Sequence, residues 1–233
     1  MKLIVTRPEE DADKLSAKLQ LLGHEAVIVP LLEILPIAEV TLPSLTFQAL
    51  CTSSANGLLT TADLSAFHHL PFFAIGPQSA AAARANGFSR VHDKGGNVEG
   101  LAREMAKHLK PAEGPVLYLS GSEVTGDLQG KLKGQGFSAL RVVVYDAVPR
   151  MVEDLPMLMA DADGVLLYSP RSAKLWLKQV ADFSCDERAK LMTHYCLSAN
   201  VAAVLPQTYR KIISRSADEN AMLTLLDQSN EDA

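Results

Sequence analysis

The sequence predicts an α/β protein built on parallel sheets, and three observations carry that prediction. Short apolar runs alternate with amphipathic helical segments along the whole chain. The same strand-to-helix corner is written twice: Cys51-Thr-Ser-Ser-Ala-Asn-Gly-Leu-Leu59 follows the apolar stretch ending at Leu50, and Leu167-Tyr-Ser-Pro-Arg-Ser-Ala-Lys-Leu175 follows Ala162-Asp-Gly-Val-Leu166. At 233 residues, 48% hydrophobic and 21% charged, the chain is long for one domain and comfortable for two of about 100–120 residues.

Leu3-Ile-Val5 reads as the first strand. Glu9 to Leu22 follows, with Ala12, Leu15, Leu19 and Leu22 at helical spacing and Gly23 placed to close the helix. Ala26-Val-Ile-Val29 is the next strand. Phe72-Phe-Ala-Ile75 then precedes a helix over Pro77 to Asn86, closed by Gly87. Asn97 is placed to cap a helix reaching Leu109, with Leu101, Met105 and Leu109 four apart. Pro115-Val-Leu-Tyr-Leu119 is a strand, and Val124 to Gln135 a helix with Leu128 and Leu132 on one face. Gly136 ends that helix, and Ala139 to Val144 returns as a strand. The Cys51–Leu59 corner is expected to resume as an apolar helix face, and the polar stretch Asp227 to Ala233 to fray.

These units recur in rotated order. Residues 3–31 are echoed by 116–146, and Phe72-Phe-Ala-Ile-Gly-Pro-Gln-Ser-Ala80 by His194-Tyr-Cys-Leu-Ser-Ala-Asn-Val-Ala202. One domain inserted into another would produce that permutation. The boundaries it predicts are a first domain of residues 1–36 plus 149–233, a second of 42–142, and linker strands at 37–41 and 143–148. Leu31 to Pro43 and Val142 to Pro149 are apolar, β-prone and bracketed by prolines, which suits a two-stranded hinge and not a flexible tether.

Charge and cysteine usage narrow the function. A net charge of -5 argues against a nucleic-acid binder, which shows a basic face. An anionic ligand must therefore be met by local positive potential. Cys51, Cys185 and Cys196 are isolated, so neither a disulfide framework nor a zinc motif is indicated. His24, His68, His69, His92, His108 and His194 show no metal-ligand spacing, and His68-His69 reads as a solvated loop. No metal and no cofactor is expected. No signal peptide is visible, and no run approaches the roughly 20 apolar residues that cross a bilayer. A cytoplasmic protein without a membrane or nucleic-acid partner is the expectation.

A strand feeding a helix through a tight corner leaves the first helical N–H groups without backbone partners. With the helix dipole, this makes a site for carboxylate or phosphate, and in open α/β sheets such corners collect at the carboxyl ends of the strands. Six are present. They supply Arg7 (in Thr6-Arg-Pro8), then Thr52, Ser53, Ser54 and Asn56, then Gly76, Gln78 and Ser79, then Ser120, Gly121 and Ser122, then Ser169, Arg171 and Ser172, and finally Ser198 and Asn200. Hydroxyl and amide residues cap helices whatever the function, but six corners together form a lined surface. Ser120-Gly-Ser-Glu-Val-Thr-Gly126 lacks the dinucleotide pattern, and neither a Walker lysine nor a Gly-x-Ser-x-Gly elbow is present. Carboxylates held by amides, Arg7 and Arg171 fit better than a nucleotide, and an enzyme of this kind would work mainly by positioning.

Val5-Thr-Arg-Pro8, Thr52-Ser-Ser-Ala-Asn-Gly57, Ala74-Ile-Gly-Pro-Gln-Ser-Ala80 with Asn86-Gly-Phe88, Val116-Leu-Tyr-Leu-Ser-Gly121, Val144-Tyr145 and Leu167-Tyr-Ser-Pro170 stand in an order that resembles the uroporphyrinogen-III synthase family. Each motif is weak alone; the order is specific and spans nearly the whole chain. The resemblance implies two similar flavodoxin-like, doubly wound parallel-sheet domains joined by a two-stranded β linker, the first domain discontinuous. It implies a cytosolic cyclising hydro-lyase of porphyrin and haem biosynthesis, monomeric, without a cofactor, and in transient contact with the preceding deaminase. Its substrate would be the linear tetrapyrrole hydroxymethylbilane, closed to uroporphyrinogen III with loss of water and inversion of the last ring. Loss of the hydroxyl gives an azafulvene-like cation, and attack at the substituted carbon of the terminal ring gives a spiro intermediate that fragments and recloses inverted. Every ring bears acetate and propionate, so the two copies of the corner would form facing walls that grip a polycarboxylate. The family's recurrent linker tyrosine falls on Tyr145, a candidate acid for the departing hydroxyl, whose ring could equally pack the hinge.

Departures from the family pattern lie in the second copy. Ser198-Ala-Asn-Val-Ala202 stands for Gly-Pro-Thr-Thr-Ala, so Val201 replaces a hydroxyl and Ser198 a glycine, and Leu167-Tyr-Ser169 stands for Phe-Thr-Ser. In the first copy Ser79 keeps the hydroxyl of the family threonine. Two other readings stay open: a catalytically inert tetrapyrrole-binding relative, which the altered corner would favour, and a two-domain small-molecule binding protein.

Overall fold

The computed structural model describes residues 1–93, 96–124, 126–216 and 218–228. In chain order its elements begin β1 (Lys2–Val5), α1 (Glu9–Leu21), β2 (Glu25–Ile28), β3 (Leu32–Pro36), β4 (Ala49–Thr52), β5 (Phe72–Ala74), α2 (Gly76–Ala85), β6 (Val91–His92) and α3 (Val98–His108). They continue β7 (Val116–Gly121), α4 (Leu128–Gly134), β8 (Ala139–Pro149), α5 (Leu155–Met159), β9 (Gly164–Leu167) and α6 (Pro170–Asp182). The last are α7 (Asp186–Leu191), β10 (Thr193–Cys196), α8 (Ala199–Ala202), β11 (Arg210–Ile213) and α9 (Glu219–Gln228). The α/β class with parallel pairing agrees with the alternating pattern of the sequence.

The chain divides into two compact units, residues 1–33 with 148–233 and residues 34–147. In the first, five parallel strands lie in the order β2-β1-β9-β10-β11. Strand alternation splits their side chains between two cores. Leu3, Val5 and Leu166 face α1, whose Ala12, Leu15 and Leu19 cover them. Ile4, Val165 and Leu167 face α6, which contributes Ala173, Trp176 and Val180. The helices that follow neighbouring strands β1 and β9 thus leave toward opposite faces, which defines a topological switch point between those strands. Buried Gln179 bonds the carbonyl of Arg150 at 2.7 Å and the N–H of Val152 at 3.0 Å, which anchors the returning chain in this unit.

The second unit's sheet has the order β3-β8-β7-β4-β5-β6, with β8 through β6 parallel. Taken from β7, the order of its parallel strands repeats that of the first unit, rotated by two strands. Leu50, Phe72, Ala74, Leu117 and Leu119 pack with Ala80 and Ala83 of α2 on one face. Ala49, Cys51, Phe73, Val116 and Tyr118 pack with Leu101 and Met105 of α3 and Leu132 of α4 on the other. Here the switch point lies between β7 and β4. Along β3 and β8 the Ile37 N–H reaches the Val144 carbonyl at 2.9 Å and the Arg150 N–H the Leu31 carbonyl at 3.0 Å, so these two run antiparallel.

Helix ends follow the sequence signals closely. At Gly23 and Gly136, both with positive φ, the next residue's N–H turns back to the carbonyls of Leu19 and Leu132 at 2.9 and 3.0 Å. Only glycine enters that conformation without strain. Three expectations are corrected. The Cys51 corner opens into a 3-10 turn, Ala55–Leu58, and not an α-helix; a side chain at Gly57 would strike Thr52 Oγ1, so the turn is held tight against β4. The helix expected from Val124 begins at Leu128, because Asp127 caps it by accepting the Gly130 N–H at 2.8 Å. Residues 37–41 are not a strand: the outbound strand is β3, ending at Pro36, and Val40 and Leu42 pack on the core instead. Of the tail expected to fray, Asp227 and Gln228 end α9, and residues 229–233 lie outside the described residues.

Candidate active site at the strand ends

In the second unit the corners after β7, β4 and β5 belong to three adjacent parallel strands, so they share one sheet edge. A β-bulge shapes that edge: Ser120 pairs with Val143 but Gly121 with Tyr145, which leaves Val144 as the extra residue. The bulge delivers the Tyr145 ring onto Gly121, where an added Cβ would lie 2.7 Å from its Cζ. Arg141 clamps the same corner, donating to Ser120 Oγ at 2.7 Å and to the carbonyls of Gly121 and Ser122, each at 2.6 Å. The Ser122 hydroxyl bonds Asp146, and its N–H reaches the Tyr145 carbonyl at 3.0 Å.

Thr52 is fully buried and its hydroxyl donates to the Ser54 carbonyl at 2.7 Å. The Ser54 hydroxyl accepts from the Asn56 N–H at 3.3 Å, and Ser53 shares a hydrogen bond of 2.8 Å with the Tyr118 phenol. Gly76, Gln78 and Ser79 form the first turn of α2, which has no side-chain cap; Ser79 is buried and Gln78 exposed. Burial raises the pKa of both Tyr118 and Tyr145, opposed at Tyr145 by the Ser54 hydroxyl and the Arg141 charge. Tyr145 is therefore a neutral phenol at pH 7, able to donate a proton or a hydrogen bond.

In the first unit the corners after β1, β9 and β10 likewise share one sheet edge. Thr6 donates to the Leu166 carbonyl at 2.8 Å, tying β1 to β9. Arg7 is not a free cation: it bonds Glu219 at 2.6 Å and Asp11 at 2.7 Å, and lies 4.8 Å from the centre of the Tyr168 ring. Lys18 holds the other oxygen of Glu219. The Tyr168 hydroxyl is buried with no hydrogen-bond partner among the described residues, and burial pushes its pKa up. Ser169 and Ser172 satisfy each other in a capping box, with the Ser172 N–H reaching Ser169 Oγ at 3.0 Å and the Ser169 N–H reaching Ser172 Oγ at 3.1 Å. Arg171 is half-buried beside them. Ser198 precedes the four-residue α8 without capping it, Asn200 is exposed, and Val201 is buried in the core.

The sequence-predicted residues thus form two groups, one at each unit's strand ends, and most of their hydroxyls are spent on local structure. Backbone N–H groups are what such corners have left to offer an anion. A sequence profile of the family described as Uroporphyrinogen-III synthase HemD matches residues 13–224. The chain belongs to the uroporphyrinogen-III synthase family. Two solved structures share its fold. Uroporphyrinogen-III synthetase from Helicobacter pylori 26695 is 16% identical with a TM-score of 0.67, the match covering 98% of this chain and 99% of that one. A mutant uroporphyrinogen III synthase from the extremely thermophilic bacterium Thermus thermophilus is 12% identical with a TM-score of 0.53, covering 100% of both chains. No curated protein matches the chain in sequence.

Within this member of the uroporphyrinogen-III synthase family, three residues of the strand-end groups escaped the sequence reading. Arg141 left a usable signal, as the lone charge inside the apolar run Ala139–Val144. Glu219 and Tyr118 left none, because their partners Arg7 and Ser53 are distant in sequence. Folding also brings histidines together in a way that sequence spacing does not show: the ligand atoms of His92, Glu104 and His108 all lie within 4.8 Å of one another. Glu104 and His108 stand one helical turn apart, but His92 joins them only through the packing of β6. His68, expected to be solvated, packs edge-on against Phe88 at 4.9 Å, while His69 is exposed.

Proposed function

We propose that this chain closes hydroxymethylbilane to uroporphyrinogen III, inverting the terminal ring and releasing water, as a cyclising hydro-lyase of tetrapyrrole synthesis. Family membership over residues 13–224 is the observation that carries this reading. The strand ends support it physically. At each switch point, tight corners present N–H groups to an anion, and the substrate is a polycarboxylate. Tyr145 stands at one of these edges as a neutral phenol, fixed by the bulge and by Gly121.

In this reading Tyr145 protonates the departing hydroxyl, the C–O bond breaks, and water leaves with the azafulvene-like cation behind it. The substituted carbon of the terminal ring attacks, the spiro intermediate fragments, and reclosure through the other ring carbon sets the inverted product. The proton that carbon loses restores the phenol. Carboxylates are held by amides of the corners at Thr52–Asn56, Gly76–Ser79, Ser120–Ser122, Ser169–Ser172 and Ser198–Asn200. Arg7 serves only after leaving Glu219 or Asp11, and Arg171 completes the set. Because the linear substrate also closes unaided to the non-inverted isomer, most of the work is positioning.

The same proposal includes two doubly wound domains joined by the segments that contain β3 and the end of β8, a monomer in the cytoplasm, and transient contact with the deaminase that makes the substrate. The rotated strand order supports the domain scheme. A coupled assay with hydroxymethylbilane generated in place, resolving isomer III from isomer I, tests the function. Isomer III is the expected product; isomer I alone, at the unaided rate, would overturn it.

A further inference from the structure

We propose that His92, Glu104 and His108 form a binding site for one borderline divalent metal ion, with Zn²⁺ as the type, separate from the strand ends that carry the tetrapyrrole chemistry. The three side chains come from two elements of the second unit. Glu104 and His108 lie one turn apart on α3, hence on one face. His92 ends β6, the two-residue edge strand of the sheet. Its ring stacks on Phe73 with centroids 4.6 Å apart and planes 12° from parallel. Phe73 belongs to the same core as Leu101 and Met105 of α3, so one set of packing contacts fixes the heights of both β6 and α3.

The geometry is close to what a metal needs. His108 Nε2 lies 3.0 Å from Glu104 Oε1, and the His92 and His108 rings are 4.4 Å apart. In a tetrahedral site with bonds of about 2.0–2.1 Å, neighbouring ligand atoms stand about 3.4 Å apart. The three ligand atoms here all lie within 4.8 Å of one another, so rotation of one side chain closes the difference. His108 can supply it, since its side chain is 42% exposed, whereas that of Glu104 is 9% exposed and held. Lys107 bonds the other oxygen of Glu104 at 2.9 Å, orienting the carboxylate while leaving Oε1 toward the imidazoles. Two imidazoles with one carboxylate select zinc, copper, nickel or cobalt over magnesium or calcium, which prefer oxygen ligands, and a water would complete the shell. Bound metal would staple the short edge strand to the end of α3, stabilising the least supported margin of the sheet.

The test uses the full chain, stripped with chelator and titrated with Zn²⁺ alone by calorimetry, with histidine ring nitrogens followed by NMR. One saturable site per chain is expected, moving the ring signals of His92 and His108 and leaving those of His24, His69 and His194 in place. His108→Ala, at an exposed position that does not burden folding, is expected to weaken Zn²⁺ binding at least tenfold, and Glu104→Gln to do the same. Unchanged affinity in His108→Ala, no saturable binding, or movement confined to the His68 and His69 signals would overturn the assignment.

Discussion

The phenol of Tyr145 rests on Gly121, with the hydroxyl oxygen 3.0 Å and Cζ 2.7 Å from where a Cβ at that glycine would lie. The relationship depends on the bulge that pairs Gly121 with Tyr145 after Ser120 has paired with Val143. Gly121 does not have a positive φ, so its lack of a side chain serves close approach and not an unusual backbone. Gly121→Ala is therefore expected to displace the ring, costing about 1–3 kcal/mol of stability through overpacking. The rate of isomer-III formation should fall by more than the stability loss explains. A variant with normal turnover would separate the ring's position from catalysis.

Tyr145→Phe keeps the ring and removes only the hydroxyl proposed as proton donor. General acid help is typically worth about 10²–10⁴-fold. The leaving hydroxyl is already pushed out by an electron-rich pyrrole, so a loss of about 10²-fold is expected, with isomer III still the main product. The pH dependence follows from the sign of the shift. Burial raises the pKa above the ordinary 10.0, so the phenol stays protonated across the neutral range and its contribution is lost only above that value. A rate unchanged in Tyr145→Phe, with fold and binding intact, would reduce the ring to packing.

What the sequence made legible was whatever has a local cause. The helix ending at Gly23 is written in the spacing of Ala12, Leu15 and Leu19 and in a glycine able to take positive φ. The corners at Ser169 and Asn97 announce themselves as N-caps, and both side chains accept the expected N–H. Long-range facts were not readable. The bulge beside Tyr145 is a property of the register between β7 and β8, and Arg7 looks free until Glu219, far along the chain, is found on it. The 3-10 turn after Thr52 shows a third case, where Gly57 fits a place too tight for a side chain and local pattern alone suggested a longer helix.

Arg141 holds the Ser120–Ser122 corner through three hydrogen bonds of 2.6–2.7 Å. Lysine carries the charge but not the fork, and cannot reach all three acceptors. Arg141→Lys is expected to cost about 2 kcal/mol in unfolding free energy, the scale of a lost charged hydrogen bond. A lower rate with unchanged substrate affinity is also expected, because Tyr145 would lose the corner it rests on. Equal stability of the two proteins in denaturant would show that the clamp is solvent-screened.

The hydroxyls of Ser53 and Ser169 are engaged with Tyr118 and with the capping box. Their removal should register more in stability than in binding. Ser169→Ala is expected to cost about 1 kcal/mol as a lost N-cap. Ser53→Ala, which leaves the buried Tyr118 phenol unpaired, is expected to cost about 1–3 kcal/mol. On the proposal that backbone N–H groups carry substrate binding, it should weaken only modestly in both. Loss of all binding in folded protein would make the side chains the grip.

His194 is fully buried, accepts from the Trp176 indole N–H at 3.2 Å and lies tilted against the Tyr209 ring with centroids 4.6 Å apart. Burial pulls its pKa from 6.5 down to about 4, so the folded state holds it neutral. A depressed folded pKa gives stability that is fully present above the unfolded value. As the pH falls below 6.5 the unfolded chain binds the proton first, and stability is lost until the folded pKa near 4 is passed. Each pH unit in that window costs about 1.4 kcal/mol, or about 2 kcal/mol between pH 7 and pH 5. His194→Gln keeps an acceptor for Trp176 and removes the titration. It should be less stable than the parent at pH 7.5 yet lose less on acidification, with the two denaturation midpoints converging toward pH 5. Parallel loss in both proteins would assign the acid sensitivity to other groups.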